Sequence, residues 1–270
     1  MVGVREDGGG PAELGARFGP YFALDRLPAG GLPPDGWAIV ADLVDPATGA
    51  FDRRVRAVRA ALAAARSGPI ETVDERVAVS VAQLGLCARL VAPALALAVI
   101  DARPLTLDPR GLYWRDVLGG PFPLARSDVP LALSDARTPP AGDALGPGGA
   151  ERFAAGTLLP VVAPIVDAVR QGYPVSEKVL WGNVASAVAG AAKMIGLAEP
   201  ALAAPAWRVV DELCGGADGP LLDTGGRVGP ARFRRRSCCL IYRLAGGGAR
   251  AICEDCVLGA GPSSPGRAPR

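Results

Sequence analysis

The chain has 270 residues, half of them hydrophobic, with 29 basic and 27 acidic side chains and a formal net charge of +2. That balance fits one large or two small globular domains and excludes both a disordered chain and a nucleic-acid binder working through bulk positive charge. Histidine is absent from the sequence, which removes histidine triads, histidine zinc-hydrolase motifs and Rieske-type ligation.

Residues 1–35 are rich in Gly and Pro and read as a flexible N-terminal segment. The first ten residues have no apolar core of the secretory kind, so the expected compartment is the cytoplasm. A mainly helical body is expected over 36–230. Trp37 to Val44 fits a short strand or a helical turn. From Phe51 a helical period sets in through Val55, Val58, Leu62 and Ala65, and Gly68-Pro69 stops it. A longer helix is expected from Thr72, with Glu75 completing a capping box. It continues through Val77, Val81, Leu84 and Cys87, and Pro93 should kink or divide it. The run Leu84 to Ile100 is strongly apolar but interrupted by Arg89 and Pro93. It reads as a buried helix, about a turn short of a membrane span, with no stable membrane insertion.

Around 112–124 the pattern changes to two short strands about the turn Gly119-Gly120-Pro121. Residues 127–149 read as a Pro/Gly-rich loop. Helical signals resume at Ala150, with Pro160 and Pro164 marking restarts. Ser176 is the expected cap of a helix over 177–197, whose Gly and Ala residues allow close packing. A last helix is expected over 205–213, ending at Gly215-Gly216. A small cysteine-bearing module follows over 231–260, and 261–270 reads as a disordered tail. The fold class is therefore mainly α with a short β-hairpin element, α+β, plus a C-terminal cysteine-rich module.

That module carries the chemistry. Cys238 and Cys239 are adjacent, and Cys253 and Cys256 form a C-x-x-C. In a cytosolic chain, clustered cysteines read first as metal ligands or redox groups, because structural disulfides are rare there. Adjacent cysteines in an extended segment point to opposite faces and chelate one small ion awkwardly. A two-iron cluster offers four thiolate sites on two metals and tolerates them better, whereas zinc ribbons more usually repeat C-x-x-C. Spacing alone leaves both an iron–sulfur cluster and a zinc knob open. Cys87 lies in an apolar helical pattern and Cys214 at a helix end, so both read as packing residues. Glu254 and Asp255, inside the C-x-x-C, read as solvent-facing turn residues. No nicotinamide or flavin fingerprint is present.

Arg235-Arg236-Ser237-Cys238-Cys239, then Tyr242-Arg243, a glycine turn, and Cys253-x-x-Cys256 with Val257-Leu258 resemble the C-terminal signature of the FhuF-like ferric-siderophore reductases. Leu180-Trp181-Gly182-Asn183-Val184-Ala185-Ser186 and Val117-Leu118-Gly119-Gly120-Pro121 also resemble recurring segments of that family. The chain departs from the family in one respect: thirteen residues separate Cys239 from Cys253, three more than is usual, beside Gly246-Gly247-Gly248. The resemblance implies a 2Fe-2S cluster held by Cys238, Cys239, Cys253 and Cys256. It further implies one-electron reduction of Fe(III) in a ferric siderophore, expected to be of hydroxamate type, to release iron in the cytosol. The electron would come from an external donor such as a ferredoxin or reductase. A non-enzymatic zinc-stabilised binding module and an iron–sulfur redox sensor are the alternatives. Arg234, Arg235 and Arg236 form a candidate docking patch for an acidic donor or anionic chelate, and would raise the cluster's potential; a solvated charge run is the other reading. Trp181 and Asn183 are candidate pocket residues, set against the simpler reading of Trp181 as core and Asn183 as partner to a buried backbone group.

Overall fold

The computed structural model describes residues 13–27, 35–101, 106–127, 148–244 and 253–258. The fold is mainly helical with two small sheets, as the residue pattern implies. Its axis is α3, Glu75–Asp101, sealed by Ala78, Val79, Leu86, Leu90, Ala94, Leu95 and Ala98 on nearly every side. Its most extensive partner is α6, Glu177–Ala198. Gly182, Ala185, Ala189 and Ala192 are among the small residues buried on α6. Around this pair stand α2 (Ala50–Ala64), α5 (Ala163–Gly172) and α7 (Ala203–Gly215).

Several elements differ from expectation in instructive ways. Thr72 does not cap α3. It belongs to a preceding 3-10 turn, and the Asp74 carboxylate instead accepts the Arg76 N–H at 3.0 Å, so a nearer, charged cap takes the position. Ser176 makes no side-chain cap to α6; its backbone carbonyl receives the Val179 and Leu180 N–H groups. Pro93 does not divide α3, which runs through it unbroken. A proline inside a helix costs about 3 kcal/mol, and burial of Ala92, Ala94, Leu95 and Ala96 around it is large enough to offset that. Pro160 likewise interrupts nothing; it lies within a π-helical stretch, Ala154–Val162, between α4 (Gly149–Phe153) and α5. Among the described residues, two helical stretches, Glu75–Ile100 and Gly149–Gly172, are long and apolar enough to cross a membrane, so the first is not short of a span. In the first, 78% of the apolar window is buried inside the fold, which identifies it as a core helix.

Within the segment 1–35, expected to be flexible, residues 14–27 instead fold. They form α1 (Leu14–Phe18), a 3-10 turn and β1 (Asp25–Leu27), and place Leu14, Phe18, Phe22 and Leu24 in the core. Residues 1–12 and 28–34 lie outside the described residues. The expected hairpin is present as β3 (Leu112–Trp114) and β4 (Leu124–Ser127), antiparallel with Tyr113 opposite Ala125. It joins a four-stranded sheet in the order β1-β4-β3-β2, with β2 (Ala38–Ile39) antiparallel and β1 parallel to its neighbour. Trp37 to Val44 thus supplies both of its alternatives, a strand and then a 3-10 turn over Val40–Leu43. The loop over 127–149 and the tail 261–270 fall almost wholly outside the described residues, as does Gly246-Gly247-Gly248.

Arg89 pins these layers together. It is buried and donates to the carbonyls of Phe122 at 2.8 Å, Tyr21 at 2.9 Å and also Ala23. One guanidinium thus ties the N-terminal segment and the sheet to α3. Burial pulls its pKa down to about 10, which leaves it charged at neutral pH.

Candidate metal centre

After α7 the chain forms a β-hairpin of β5 (Gly225–Gly229) and β6 (Arg232–Arg235), which lies on α6. Burial alternates along β6, with Phe233 and Arg235 inward, Arg232 exposed and Arg234 half-buried. The strand period therefore splits the arginine run between two faces. At the inner face Gly225 has no room for a side chain, since a Cβ there would meet the Phe233 ring at 2.3 Å.

The strand delivers the chain to Cys238 and Cys239. The C-x-x-C loop returns beside it, held by the Arg235 N–H donating to the Asp255 carbonyl at 3.0 Å. All six cysteines are free thiols. The Cys239 and Cys253 sulfurs lie 3.4 Å apart, and the Cys256 N–H donates to the Cys253 carbonyl at 3.1 Å. Two of the four thiols are thus in contact, with the other two beside them in the chain. Cys239 and Cys256 are buried, while Cys238 and Cys253 are partly open. Backbone N–H groups already face the sulfurs: Leu240 donates to Cys238 and Leu258 to Cys256, each at 3.3 Å. Among the described residues, no group of three or more Cys, Asp or Glu side chains is arranged to hold a single metal ion.

The thiols differ in acidity. The hydrogen bond with Cys253 draws Cys239 toward thiolate, down to about 6, and Arg235 adds to this. Cys253 is correspondingly held protonated, and desolvation raises Cys238. Cys87 and Cys214 stand apart; burial pushes them up to about 12 and about 11. A buried thiol of that kind is a poor ligand.

Behind the cysteines lies a buried polar chain. Ser80 of α3 donates to the Cys239 carbonyl at 2.9 Å. Asn183 of α6 donates to Ser80 Oγ at 3.1 Å and to Gln83 Oε1 at 2.8 Å. Its Oδ1 accepts from Arg235 Nη2 at 2.6 Å. Because a guanidinium can only donate, this contact fixes the orientation of the Asn183 amide. Gly182 makes room, since a Cβ there would lie 2.1 Å from Ser237 Oγ and 3.1 Å from Arg235 Nη2.

Arg235 is therefore no docking residue: at 1% exposure it faces inward. Arg236 is exposed and pairs with Asp223 at 2.7 Å. Asn183 is fully buried and serves the buried chain just described, and Trp181 packs partly against the core, its indole N–H toward Glu177 at 3.3 Å. Glu254 is exposed and pairs with Lys193, whereas Asp255 is partly buried and accepts from Ser186, so only the first is a solvent-facing turn residue. Ser80 and Gln83 were not singled out from sequence. Their signal was there: two polar residues three apart in an otherwise apolar helix. The alternation of Phe233 with Arg235 likewise foretold an inward arginine.

Residues 235–258 match the family model described as the FhuF 2Fe-2S C-terminal domain. This segment is similar to a FhuF-type 2Fe-2S domain. The match covers the cysteine segment alone, and no curated protein or solved structure matches the chain significantly. Of the two metal chemistries that spacing left open, the family description names the iron–sulfur one. The surroundings fit such a group. Two of the four thiols touch and N–H donors are directed at the sulfurs of the other two, and among the buried side-chain atoms without a partner are Arg235 Nε, Arg235 Nη1 and Ser237 Oγ. Two ferric ions, two sulfides and four thiolates sum to a dianion, which a buried guanidinium and spare donors would stabilise.

Proposed function

We propose that the protein is a ferric-siderophore reductase in which Cys238, Cys239, Cys253 and Cys256 hold the 2Fe-2S cluster. When bound, the cluster supplies a one-electron reductant. The match of the four-cysteine segment to the FhuF 2Fe-2S model, with Cys239 and Cys253 in contact, carries the reading. Cys238 and Cys253 are partly open and Glu254, Val257 and Leu258 exposed. An electron acceptor can therefore approach this edge without bonding to the protein. Beside the edge is a cleft of about 180 Å³ lined by Lys193, Arg232, Trp207, Phe233, Glu254 and Asp255. It is too small to enclose a siderophore, so the chelate would rest against the surface, with Lys193 and Arg232 facing its anionic oxygens.

Siderophores bind Fe(III) through hard oxygen donors and hold the larger, less charged Fe(II) far more weakly. Transfer of one electron from the reduced protein to the chelate therefore labilises the iron. The electron is replaced by an external donor such as a ferredoxin or reductase, since the chain carries no nicotinamide or flavin fingerprint. The compartment in this reading is the cytosol, and the chelate a hydroxamate. Anaerobic stopped-flow tests it. The reduced protein should be reoxidised faster by ferric hydroxamates than in buffer, with Fe(II) captured by a ferrous-specific chelator. No acceleration across a panel of ferric siderophores would refute the reductase reading.

A further inference from the structure

Among the described residues, Arg235 at 1% and Arg89 at 2% exposure are the most deeply buried arginines. Its Nη2 donates to Asn183 Oδ1 at 2.6 Å and weakly to the Val179 carbonyl at 3.3 Å. Its Nε and Nη1 are buried without a partner. No carboxylate forms an ion pair with it among the described residues. Burying an unpaired guanidinium costs several kcal/mol, and leaving two of its donors unmade adds about 1–3 kcal/mol each. An anion brought beside it would offset that cost. Its backbone N–H holds the Asp255 carbonyl of the C-x-x-C loop at 3.0 Å, and Asn183 links its guanidinium through Ser80 to the Cys239 carbonyl, so the cysteine segment lies directly against it.

We propose that Arg235, oriented by Asn183, is the fixed counter-charge of the cluster, and that it raises the cluster's reduction potential. The inference rests on the ligand assignment above. Accepting one electron turns the bound group from a dianion into a trianion, and a guanidinium held within a poorly solvated shell favours the more negative form. The Asn183 amide supplies position rather than charge. It is itself held by Ser80 and Gln83 of α3, so the guanidinium cannot swing out to water. This separates Arg235 from Arg236, whose charge is solvated and neutralised by Asp223.

The test uses full-length Arg235→Met and Arg235→Lys beside the wild type, each purified anaerobically with the cluster and again after its removal. Redox titration followed by electron paramagnetic resonance reads the potential. Arg235→Met should lower the equilibrium constant for accepting an electron at least tenfold, about 59 mV for a one-electron couple. Arg235→Lys should lose only a minor part of that. The difference in Tm between cluster-bound and cluster-free protein should shrink in Arg235→Met, because the guanidinium is useful to the fold only when the anion is present. Cluster loss confined to Arg235→Met, with the cluster-free protein still folded, would support the proposal equally. An unchanged potential would overturn it. So would an equal fall in Tm with and without the cluster, or a cluster-free Arg235→Met protein that fails to fold, since either outcome makes Arg235 a structural need of the chain itself. Cys256→Ser, run alongside, separates the two claims: a cluster retained there refutes the ligand assignment, whatever Arg235 shows.

Discussion

Arg89 and Arg235 are equally sealed from water, at 2% and 1% exposure, yet their surroundings are opposite. Arg89 spends all three nitrogens on backbone carbonyls of residues 21, 23 and 122. Arg235 engages one nitrogen and leaves two without partners. Around the first, the chain completes itself. Around the second, it leaves donors over beside the cysteine segment. The contrast distinguishes a cation that serves packing from one set beside a ligand: the useful signal is the unmet donor, since burial is the same in both.

The largest effect should come from removing a ligand. Cys256→Ser or Cys253→Ser should abolish or grossly alter the visible absorbance and the iron content. Cys87→Ser and Cys214→Ser, outside the four proposed ligands, should keep both. Loss of the cluster in Cys214→Ser with retention in Cys238→Ser would move the site away from Arg235 and dissolve the comparison. Arg89→Met should come next, costing about 3–5 kcal/mol by leaving three carbonyls without their charged donor. Chemical denaturation should show the same loss with and without the cluster. A loss that depended on the cluster would erase the distinction between the two arginines.

A smaller effect is expected at Asp74. Its carboxylate hydrogen-bonds Arg76 and also binds Arg243, at 2.8 Å, in the 3-10 turn after Cys239. These contacts, that with Arg76 first, hold its pKa down to about 2. A depressed carboxylate adds stability above its unfolded pKa of about 4, lost as pH falls through about 2. Asp74→Asn should therefore cost up to about 1 kcal/mol at neutral pH, and the gap to wild type should close across that acid range in a denaturation series. The smallest effect belongs to Arg236→Ser, whose pair with Asp223 is exposed on both sides. Stability should change by less than about 0.5 kcal/mol, and the reduction potential should stay put, in contrast to Arg235→Met.

Much of this was legible in the residues. The helical periods from Phe51 onward, the strands around Gly119-Gly120 and the paired cysteines all rest on local spacing, and local spacing survives folding. What escaped depended on facing partners. Arg234, Arg235 and Arg236 look alike in a row, and only the strand period, anchored by Phe233 against Gly225, turns one of them inward. Thr72 and Ser176 had the chemistry of caps, but Asp74 and a backbone carbonyl stood in better places. Pro93 and Pro160 had the chemistry of breaks, and tertiary burial outweighed it. Asn183 could be assigned its partner type from sequence, but not the identity of that partner, because Ser80, Gln83 and Arg235 come from two distant segments.

The bond from Ser80 to the Cys239 carbonyl joins residues 159 positions apart. High contact order of this kind makes a contact slow to form, because a long loop must close before any reward arrives. The cysteine segment should consequently settle late, onto α3 and α6 already paired. Pulsed hydrogen exchange during refolding should protect the amides of those helices before those of β6. Iron would then meet a seat prepared by the helices, and a peptide of residues 225–258 alone should hold it poorly.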